Sequence, residues 1–334
     1  MNPLDRILDA SFNRAREALR ALEDLFRFVR DDRAAQRELK RMRHRLSALE
    51  RPRALRLLAS RDPVRDVGRN HDVPAEGGLG GFGAANFKRL QEALRSIEEA
   101  ARSRDPLLRT SASALRFDAY ETERRFLPPI LRSSRLDRVR LYVLLDPALT
   151  SAPLDRVARA VIRGGAEMVQ LRMKGRPRSE VRRAAEEIAR IARAEGALFI
   201  VNDRFEAGAD GVHLGRSDGS IASARRGMPP EALVGATTHT AAEARRARSA
   251  DYLSCGPVFA TAAKPALAPR GLSYWKECVA LGLPVFAIGG ITRRRLPGLV
   301  RRGVDRIAVG AGVVAQPDVA AAARALRRLL PAGP

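Results

Sequence analysis

Two aspartates in the second half of the chain are the residues best suited to hold a metal ion. Asp203 ends the apolar segment LFIVND (198–203), and Asp218 follows the next apolar segment, GVHLG (211–215). Carboxylate oxygens are the ligands that Mg²⁺ prefers, and the ion usually keeps several waters and shares phosphate oxygens with a substrate. Either aspartate alone would more often cap a helix or close a turn. As a pair, Asp203 and Asp218 predict one Mg²⁺ site.

Cations stand near these carboxylates in the sequence. Arg172 and Lys174 end the segment MVQLRMK (168–174), and Lys264 lies in the loop after YLSCGPV (252–258). Guanidinium and ammonium groups bind a diphosphate and neutralise its charge as it leaves. Lysine occurs at only five positions of this chain, so two lysines among these cations favour a functional interpretation over a solvated surface.

Glycines follow the last two apolar segments. Gly289 and Gly290 end PVFAIGG (284–290), and Gly310 lies near the end of RIAVGAG (306–312). Glycines at such positions expose backbone N–H groups, which commonly cradle a phosphate. A diphosphate site beside a monophosphate site predicts two small phosphorylated substrates that are joined with loss of pyrophosphate.

Eight strands and the helices between them must position these groups. The predicted strands are 141–146, 168–173, 198–203, 211–215, 233–239, 252–258, 284–290 and 306–312. Apolar strands that alternate with helices predict a parallel sheet, and eight of them predict a closed (β/α)₈ TIM barrel over 140–334. Such barrels bind substrates at the C-terminal ends of their strands. An open doubly wound sheet is the alternative, but no G-x-G-x-x-G motif follows the first strand.

The first 130 residues are predicted to be a smaller all-α domain, joined to the barrel by a linker at 131–139. The predicted helices are one capped by Asp9 or Ser11 and reaching about Val29, then 33–49, 87–102, and 111–126 before Pro128 and Pro129. A glycine-rich stretch (66–86) separates the second from the third. RAREALRALED (14–24) resembles RLQEALRSIEE (89–99), which predicts two helices packing through equivalent faces; chance similarity in Arg/Glu/Ala/Leu-rich helices is the alternative.

The formal net charge of +23 does not indicate a nucleic-acid partner. All but five of the 61 basic residues are arginine, they are spread over the whole chain, and aromatic residues make up 5%. A nucleic-acid-binding protein is expected to gather its positive charge in one patch of the surface. A non-enzymatic basic protein that binds nucleic acid or acts as a regulator is kept as the alternative. No apolar run is long enough to cross a membrane, and two cysteines are too few for a disulfide framework. We therefore expect a cytoplasmic protein without a membrane partner.

Six strings of the second half closely resemble the thiamine-phosphate synthase family. They are VQLRMKG (169–175), VNDR (201–204), GADGVHLGRSD (208–218), GATTHT (235–240), GPVFATAAK (256–264) and AIGGIT (287–292), in the order of the family. The resemblance implies that the cofactor is Mg²⁺, bound by Asp203 and Asp218. It implies further contacts, residue by residue: Arg172 and Lys174 with the diphosphate, Gln170 and Asn202 with the pyrimidine, Thr237 and Lys264 with the leaving diphosphate, and Thr261, Gly289 and Gly290 with the thiazole phosphate.

The reaction that the resemblance implies is a condensation. A pyrimidine, 4-amino-2-methyl-5-(diphosphooxymethyl)pyrimidine, loses pyrophosphate in a dissociative, Mg²⁺-assisted step, and the nitrogen of thiazole phosphate captures the resulting carbocation. Such chemistry needs positioning and electrostatics more than a general base. A thiazole tautomerase of the same fold is the alternative, but it needs neither diphosphate-binding nor metal-binding groups.

Three departures from the family pattern stand near the site. Between Asp203 and Ala209 about four residues are missing, roughly one helical turn, so the helix after the third strand should be nearly absent. Ala263 and Ala311 stand where the family has hydroxyls, and Pro265 where a polar residue is common. We therefore expect weaker binding of the thiazole phosphate.

The helical domain resembles one that precedes the synthase in some bacteria. The similar segments are 13–32, 61–68 and 86–99, with candidate polar residues Asn13, Arg14, Arg16, Glu17, Asp66, Asn86, Lys88 and Arg89. The resemblance suggests a role in phosphorylating the pyrimidine precursor, yet no P-loop or kinase signature is present. The alternative is a helical bundle that serves dimerisation or scaffolding. The sequence therefore decides neither the activity of the N-terminal domain nor whether the protein is a homo-oligomer.

Overall fold

A computed structural model describes residues 3–61, 78–261 and 268–332 of the chain. The chain divides into two compact units, Met1–Ser134 and Arg135–Pro334. The first is helical and the second is a barrel. Among the described residues, none of the helices has the length and apolar character needed to cross a lipid bilayer.

The second unit is a closed barrel of eight parallel strands that pair in chain order, β1 with β2 and onward to β8 with β1. The strands are β1 (Leu141–Leu145), β2 (Met168–Leu171), β3 (Leu198–Asn202), β4 (Gly211–Leu214), β5 (Leu233–Thr238), β6 (Tyr252–Cys255), β7 (Val285–Ile288) and β8 (Ile307–Val309). Each lies within a segment that the sequence predicts as a strand. The predicted (β/α)₈ barrel is confirmed.

Alternation along each strand divides the core of the barrel into an inner and an outer layer. Tyr142, Tyr252 and Phe286, from β1, β6 and β7, are fully buried and pack edge to face inside the barrel, with ring centroids 5.5–6.0 Å apart. Leu141 and Val143, the neighbours of Tyr142, belong instead to the layer that packs on the surrounding helices. The strands can be apolar throughout because both of their faces are covered.

Eight helices surround the barrel strands among the described residues. They are α6 (Leu154–Arg163), α7 (Arg178–Ala194), α8 (Ile221–Arg226), α9 (Ala241–Arg246), α10 (Trp275–Val279), α11 (Leu296–Val300), α12 (Ala311–Val314) and α13 (Val319–Arg327). The connection from β3 to β4, residues 203–210, contains no helix and is fully described. The predicted loss of a helix there is confirmed.

The first unit is a bundle of helices, of which the second has the predicted bounds to within one residue whereas several other helix ends differ. The helices are α1 (Pro3–Asp24), α2 (Arg33–Glu50), α3 (Ala54–Ala59), α4 (Gly78–Ala100) and α5 (Pro106–Ser134), with a π-helical turn over Leu25–Val29 after α1. Asp9 and Ser11 lie inside α1, so the prediction that one of them caps it is wrong. Leu8 and Phe12 are buried, and the burial of this apolar face stabilises the helix on the N-terminal side of the predicted cap. The Asp9 carboxylate instead pairs with Arg61 at 2.8 Å.

The glycine-rich segment before residue 87 is helical from Gly78 onward, whereas the predicted helix begins at residue 87. A Cβ at Gly80 would lie 2.8 Å from the Ser134 hydroxyl, and one at Gly83 would lie 2.9 Å from Leu127 Cδ1. Glycine therefore allows α4 to pack closely on α5, which outweighs its low helix propensity.

Helix α5 continues through Pro128 and Pro129 to Ser134, so the predicted helix end at these prolines is wrong, and the predicted linker at 131–139 begins within this helix. Each proline removes a backbone donor from the helix. Leu127 and Ile130 are nevertheless buried in the bundle core, and their burial favours continuation of the helix. Two missing backbone hydrogen bonds do not end a helix whose flanking residues are packed.

The similarity between α1 and α4 corresponds to equivalent packing. At a spacing of 75 residues, Phe12 matches Phe87, Leu19 matches Leu94 and Leu22 matches Ile97, and all six side chains are buried. The following helices match as well, because Asp32 and Asp105 accept hydrogen bonds from the first turns of α2 and α5. In each half a buried glutamate pairs with an arginine: Glu23 with Arg43, and Glu98 with Arg116. The predicted packing through equivalent faces is confirmed.

Candidate active site

A cavity of about 340 Å³ opens at the C-terminal ends of the barrel strands. Six of the site residues predicted from the sequence line it: Arg172, Thr237, Thr261, Gly289, Gly290 and Gly310. They come from β2, β5 and β6 to β8 or from the loops directly after them. The closure of the barrel brings these distant segments of the chain to one mouth, as expected for this fold.

Backbone forms one wall of this cavity. Gly289 has φ +102° and Gly290 φ +62°, conformations that side chains disfavour. A Cβ at Gly290 would lie 2.5 Å from the Ala260 carbonyl oxygen, and one at Gly312 would lie 2.4 Å from that of Ile291. Close approach of backbone therefore requires glycine here, and backbone makes up much of this wall.

Two side chains that the sequence reasoning did not single out lie along this wall. Arg295 donates from Nη1 to the Gly290 carbonyl at 2.7 Å, and its guanidinium lies 4.7 Å above the Phe259 ring. Gln316 donates from Nε2 to the Ala311 carbonyl at 3.3 Å. Both line the cavity. Arg295 is one of three consecutive arginines after β7, and nothing in the sequence distinguished it from its neighbours.

Arg172 enters the cavity from the end of β2 and is held by an ion pair with Asp146. Asp146 directly follows β1, is 8% exposed, and also accepts a hydrogen bond from the Ala148 amide at 2.9 Å. A carboxylate fixed by the backbone therefore orients the guanidinium. Asp146 was missed in the sequence, although a charged residue at a strand end was the signal that could have found it.

Lys174, Asp203 and Asp218 form a charged cluster at the ends of β2 to β4. Lys174 Nζ lies 3.3 Å from Asp203 Oδ2, and Asn202 donates its amide to the other oxygen of Asp203. Asp218 accepts hydrogen bonds from the Gly215 amide at 2.7 Å and from the Ser217 hydroxyl at 3.3 Å. The two aspartates predicted as metal ligands are neighbours, because their carboxyl groups share a hydrogen bond.

The two carboxyl groups of this cluster do not titrate alike. Burial and the neighbouring Asp218 raise the pKa of Asp203 to about 6, against the attraction of Lys174. The hydrogen bond with Asp203 and the Gly215 amide lower the pKa of Asp218. Two carboxyl groups that share one site in this way are stabilised as a charged pair by a cation.

The carboxylates do not line the 340 Å³ cavity. Asp203 and Asp218 line a second cavity of about 360 Å³, together with Arg178, Arg204 and Ser220. Within residues 3–61, 78–261 and 268–332, no group of three or more His, Cys, Asp or Glu side chains could hold a metal ion. Two carboxylates fit Mg²⁺ when water and substrate supply its remaining oxygens.

The remaining residues that the sequence analysis names differ in where they lie relative to the cavity. Gln170 is 2% exposed and donates its amide to the Tyr142 hydroxyl inside the barrel. Thr237 lines the cavity, and its hydroxyl lies 2.8 Å from His213 Nε2. Ala311 lines the cavity where a serine was expected. Lys264, with Ala263 and Pro265, lies outside the described residues.

The fold and this mouth define an enzyme of the (β/α)₈ class whose cavity combines cations with a glycine-rich wall suited to phosphate groups. Comparison with known proteins identifies the families to which the two parts of the chain are similar. The thiamine monophosphate synthase family matches residues 141–313, and the ThiD2 family matches 6–125.

Two relatives that match nearly the whole chain are both thiamine-phosphate synthases. Thiamine-phosphate synthase of Synechococcus sp. (strain WH7803) is 38% identical, over 97% of this chain and 96% of its own. That of Gloeobacter violaceus is 39% identical, over 94% and 93%. A solved structure of thiamine phosphate pyrophosphorylase from Pyrococcus furiosus superposes with a TM-score of 0.53 at 34% identity, over 58% of this chain and 96% of that one. The chain belongs to the thiamine-phosphate synthase family.

Proposed function

We propose that this chain joins a pyrimidine diphosphate to thiazole phosphate and releases pyrophosphate, with thiamine phosphate as product. The observation that carries this assignment is the cavity itself. Arg172 and Thr237 stand on one side of it, and the backbone of Gly289, Gly290 and Gly310 on the other. One mouth thus offers a cationic site and a phosphate cradle to two phosphorylated molecules.

The thiazole phosphate occupies the glycine wall in this proposal. Backbone amides of Gly289, Gly290 and Gly310 and the hydroxyl of Thr261 bind its phosphate. Arg295 adds a positive charge at this wall, since its guanidinium is held beside the Gly290 carbonyl. Binding here orients the ring nitrogen towards the opposite side of the cavity.

The diphosphate of the pyrimidine substrate occupies the cationic side. Arg172 binds it with a guanidinium that Asp146 orients, and Lys174, Lys264 and Thr237 supply further donors. Asp203 and Asp218 hold Mg²⁺, which when bound neutralises charge on the departing diphosphate. Gln170 and Asn202 contact the pyrimidine. The Lys174–Asp203 contact of 3.3 Å links the cations to the carboxylates of the second cavity.

The reaction breaks the bond between the exocyclic methylene of the pyrimidine and the diphosphate oxygen, which leaves with the electron pair. The thiazole nitrogen donates its lone pair to the resulting cation and forms the new C–N bond. The site therefore needs donors and cations where negative charge grows, together with alignment of the two substrates. No side chain has to remove a proton.

The test is a direct assay of the purified full chain with pyrimidine diphosphate, thiazole phosphate and Mg²⁺. We expect thiamine phosphate and pyrophosphate in equal amounts, with both products lost in excess EDTA and restored by added Mg²⁺. Folded protein that makes neither product would refute the proposal. If the same protein isomerised the thiazole without metal, the tautomerase alternative would replace it.

A further inference from the structure

A chain of hydrogen bonds crosses the barrel interior between Gln170 on β2 and Thr237 on β5. Gln170 Nε2 contacts the Tyr142 hydroxyl, which lies 3.2 Å from the Tyr252 hydroxyl. The Tyr252 hydroxyl lies 3.2 Å from His213 Nδ1, and His213 Nε2 lies 2.8 Å from Thr237 Oγ1. The proposed function places both ends of this chain at substrates.

The members of this network are held rigidly. Gln170, Tyr142, Tyr252 and His213 are between 0% and 5% exposed, so a broken hydrogen bond would leave a polar group without water. A Cβ at Gly235 would lie 2.1 Å from Tyr252 Cζ, so glycine is needed there to seat the ring. Thr237, at the other end of the network, lines the 340 Å³ cavity.

The direction of donation follows from the group at the buried end. An amide NH₂ only donates, so the Tyr142 oxygen accepts there and its proton goes to Tyr252. Burial raises the pKa of both tyrosines, so both keep their protons. Tyr252 then donates to His213 Nδ1, and a neutral imidazole with an accepting Nδ1 carries its proton on Nε2. That proton is donated to Thr237 Oγ1.

We propose that His213 is a positioning residue that makes Thr237 a hydrogen-bond donor to the leaving diphosphate, and that Tyr142 and Tyr252 hold His213 in the required tautomer. Because Thr237 accepts from His213, its own proton points into the cavity, where negative charge grows as pyrophosphate leaves. The inference rests on the proposed role of Thr237. With Gln170 turned so that its carbonyl faced Tyr142, every donor would reverse and Thr237 would present lone pairs to the diphosphate.

The tautomer can be measured without any assay of activity. The full chain labelled with ¹⁵N-histidine has four histidines, and the His213→Gln variant identifies the signals of His213. We expect a protonated Nε2 and an unprotonated Nδ1, and we expect Tyr252→Phe to introduce the other tautomer. A proton on Nδ1 in the unaltered protein would overturn the inference, whatever the activity.

Kinetics test the consequence for the reaction. His213→Leu removes the donor to Thr237, whereas His213→Gln keeps an N–H group in its place. We expect His213→Leu to lower kcat about tenfold, the effect of one lost hydrogen bond of about 1.4 kcal/mol, with the KM for thiazole phosphate unchanged and with part of kcat restored in His213→Gln. Equal kcat in His213→Leu and the unaltered protein would contradict the inference.

A matched control separates this role from general damage to the core. Ser254 is fully buried on β6, and its hydroxyl has no partner among the described residues, so Ser254→Ala should leave kcat unchanged. Thr237→Val distinguishes the two proposals. If Thr237→Val has full activity, the proposed contact with the diphosphate fails and the inference fails with it. If Thr237→Val is impaired and His213→Leu is not, only the inference fails.

Discussion

The two sides of the barrel mouth, to which we assign the binding of two different phosphate groups, are built in different ways. On the charged side, defined by Asp146, Arg172, Lys174, Asp203 and Asp218, ionised side chains hold one another by ion pairs and hydrogen bonds. On the glycine side, defined by Gly289, Gly290, Gly310 and Gly312, backbone atoms are fixed by close approach to neighbouring loops. Charge can be removed from the first side without moving the fold, whereas the second depends on shape.

The largest expected effect comes from the charged side. Asp203→Asn removes one carboxylate charge and keeps a residue that tolerates the observed φ of +69°. We expect kcat to fall about 10²- to 10³-fold, as when a group that stabilises transition-state charge is lost, together with weaker Mg²⁺ binding by calorimetry. Glu187→Gln on the exposed surface of α7 makes the same charge change and should leave kcat unchanged. A fall in Asp203→Asn no larger than in Glu187→Gln would remove Asp203 from the site.

The glycine side should fail through geometry. In Gly290→Ala the new Cβ would meet the Ala260 carbonyl oxygen at 2.5 Å. We expect the KM for thiazole phosphate to rise tenfold or more, roughly the cost of one or two lost hydrogen bonds, with a lower Tm.

Gly271→Ala is the matched control for Gly290→Ala. Its φ of +58° is similar, but nothing lies within 4 Å of the added Cβ, so it carries only the backbone strain of about 1–2 kcal/mol. If both variants show the same KM, the close approach at Gly290 has no part in phosphate binding.

A moderate effect is expected where the charged side is held in place. Asp146→Asn keeps the oxygen that accepts from Ala148 but loses the ion pair with Arg172. We expect kcat/KM for the pyrimidine diphosphate to fall about tenfold, since one charge-assisted hydrogen bond is weakened. Asp318→Asn is the control, because Asp318 accepts a similar bond from Ala321 at 2.9 Å at the start of α13. Equal rates in the two variants would mean that Arg172 needs no partner.

The smallest effect is expected from a variant that adds a hydroxyl group to the glycine side. Ala311 lines the cavity, and Ala311→Ser places a hydroxyl where the family has one. We expect the KM for thiazole phosphate to fall about two- to fivefold, within the usual contribution of one hydrogen bond. An unchanged or higher KM would show that the backbone alone satisfies the phosphate, and the explanation of weak binding from missing hydroxyls would be wrong.

The strands could be predicted from the sequence because apolar runs such as LFIV and VFAI are buried on both faces and bounded by turn residues. The ends of α2 could be predicted as well, but those of α1, α4 and α5 could not. Asp9 has the type of a cap, yet it lies within α1, and glycines before residue 87 are helical since α5 packs on them. Local preference yields to packing at both places.

For the site, the sequence showed which residue types follow each strand but not their partners. Asp146 was overlooked because its importance comes from Arg172, 26 residues further along the chain. Gln170 and Thr237 could be selected only as candidate contacts, whereas the network between them depends on which side chains face inward across a closed barrel. Such neighbours are set by the register of eight strands, which no single motif contains.

The repeated design of the helical unit has a thermodynamic consequence. Its two helical hairpins, α1–α2 and α4–α5, contribute matching side chains to one core, with Leu19 and Leu94 in equivalent positions. Each hairpin has a single apolar face, and the other hairpin covers it. Separating the two hairpins would expose both apolar faces at once. Neither hairpin should therefore be stably folded without the other. The unit should therefore melt as a single cooperative block, and a defect in either hairpin should lower the stability of both.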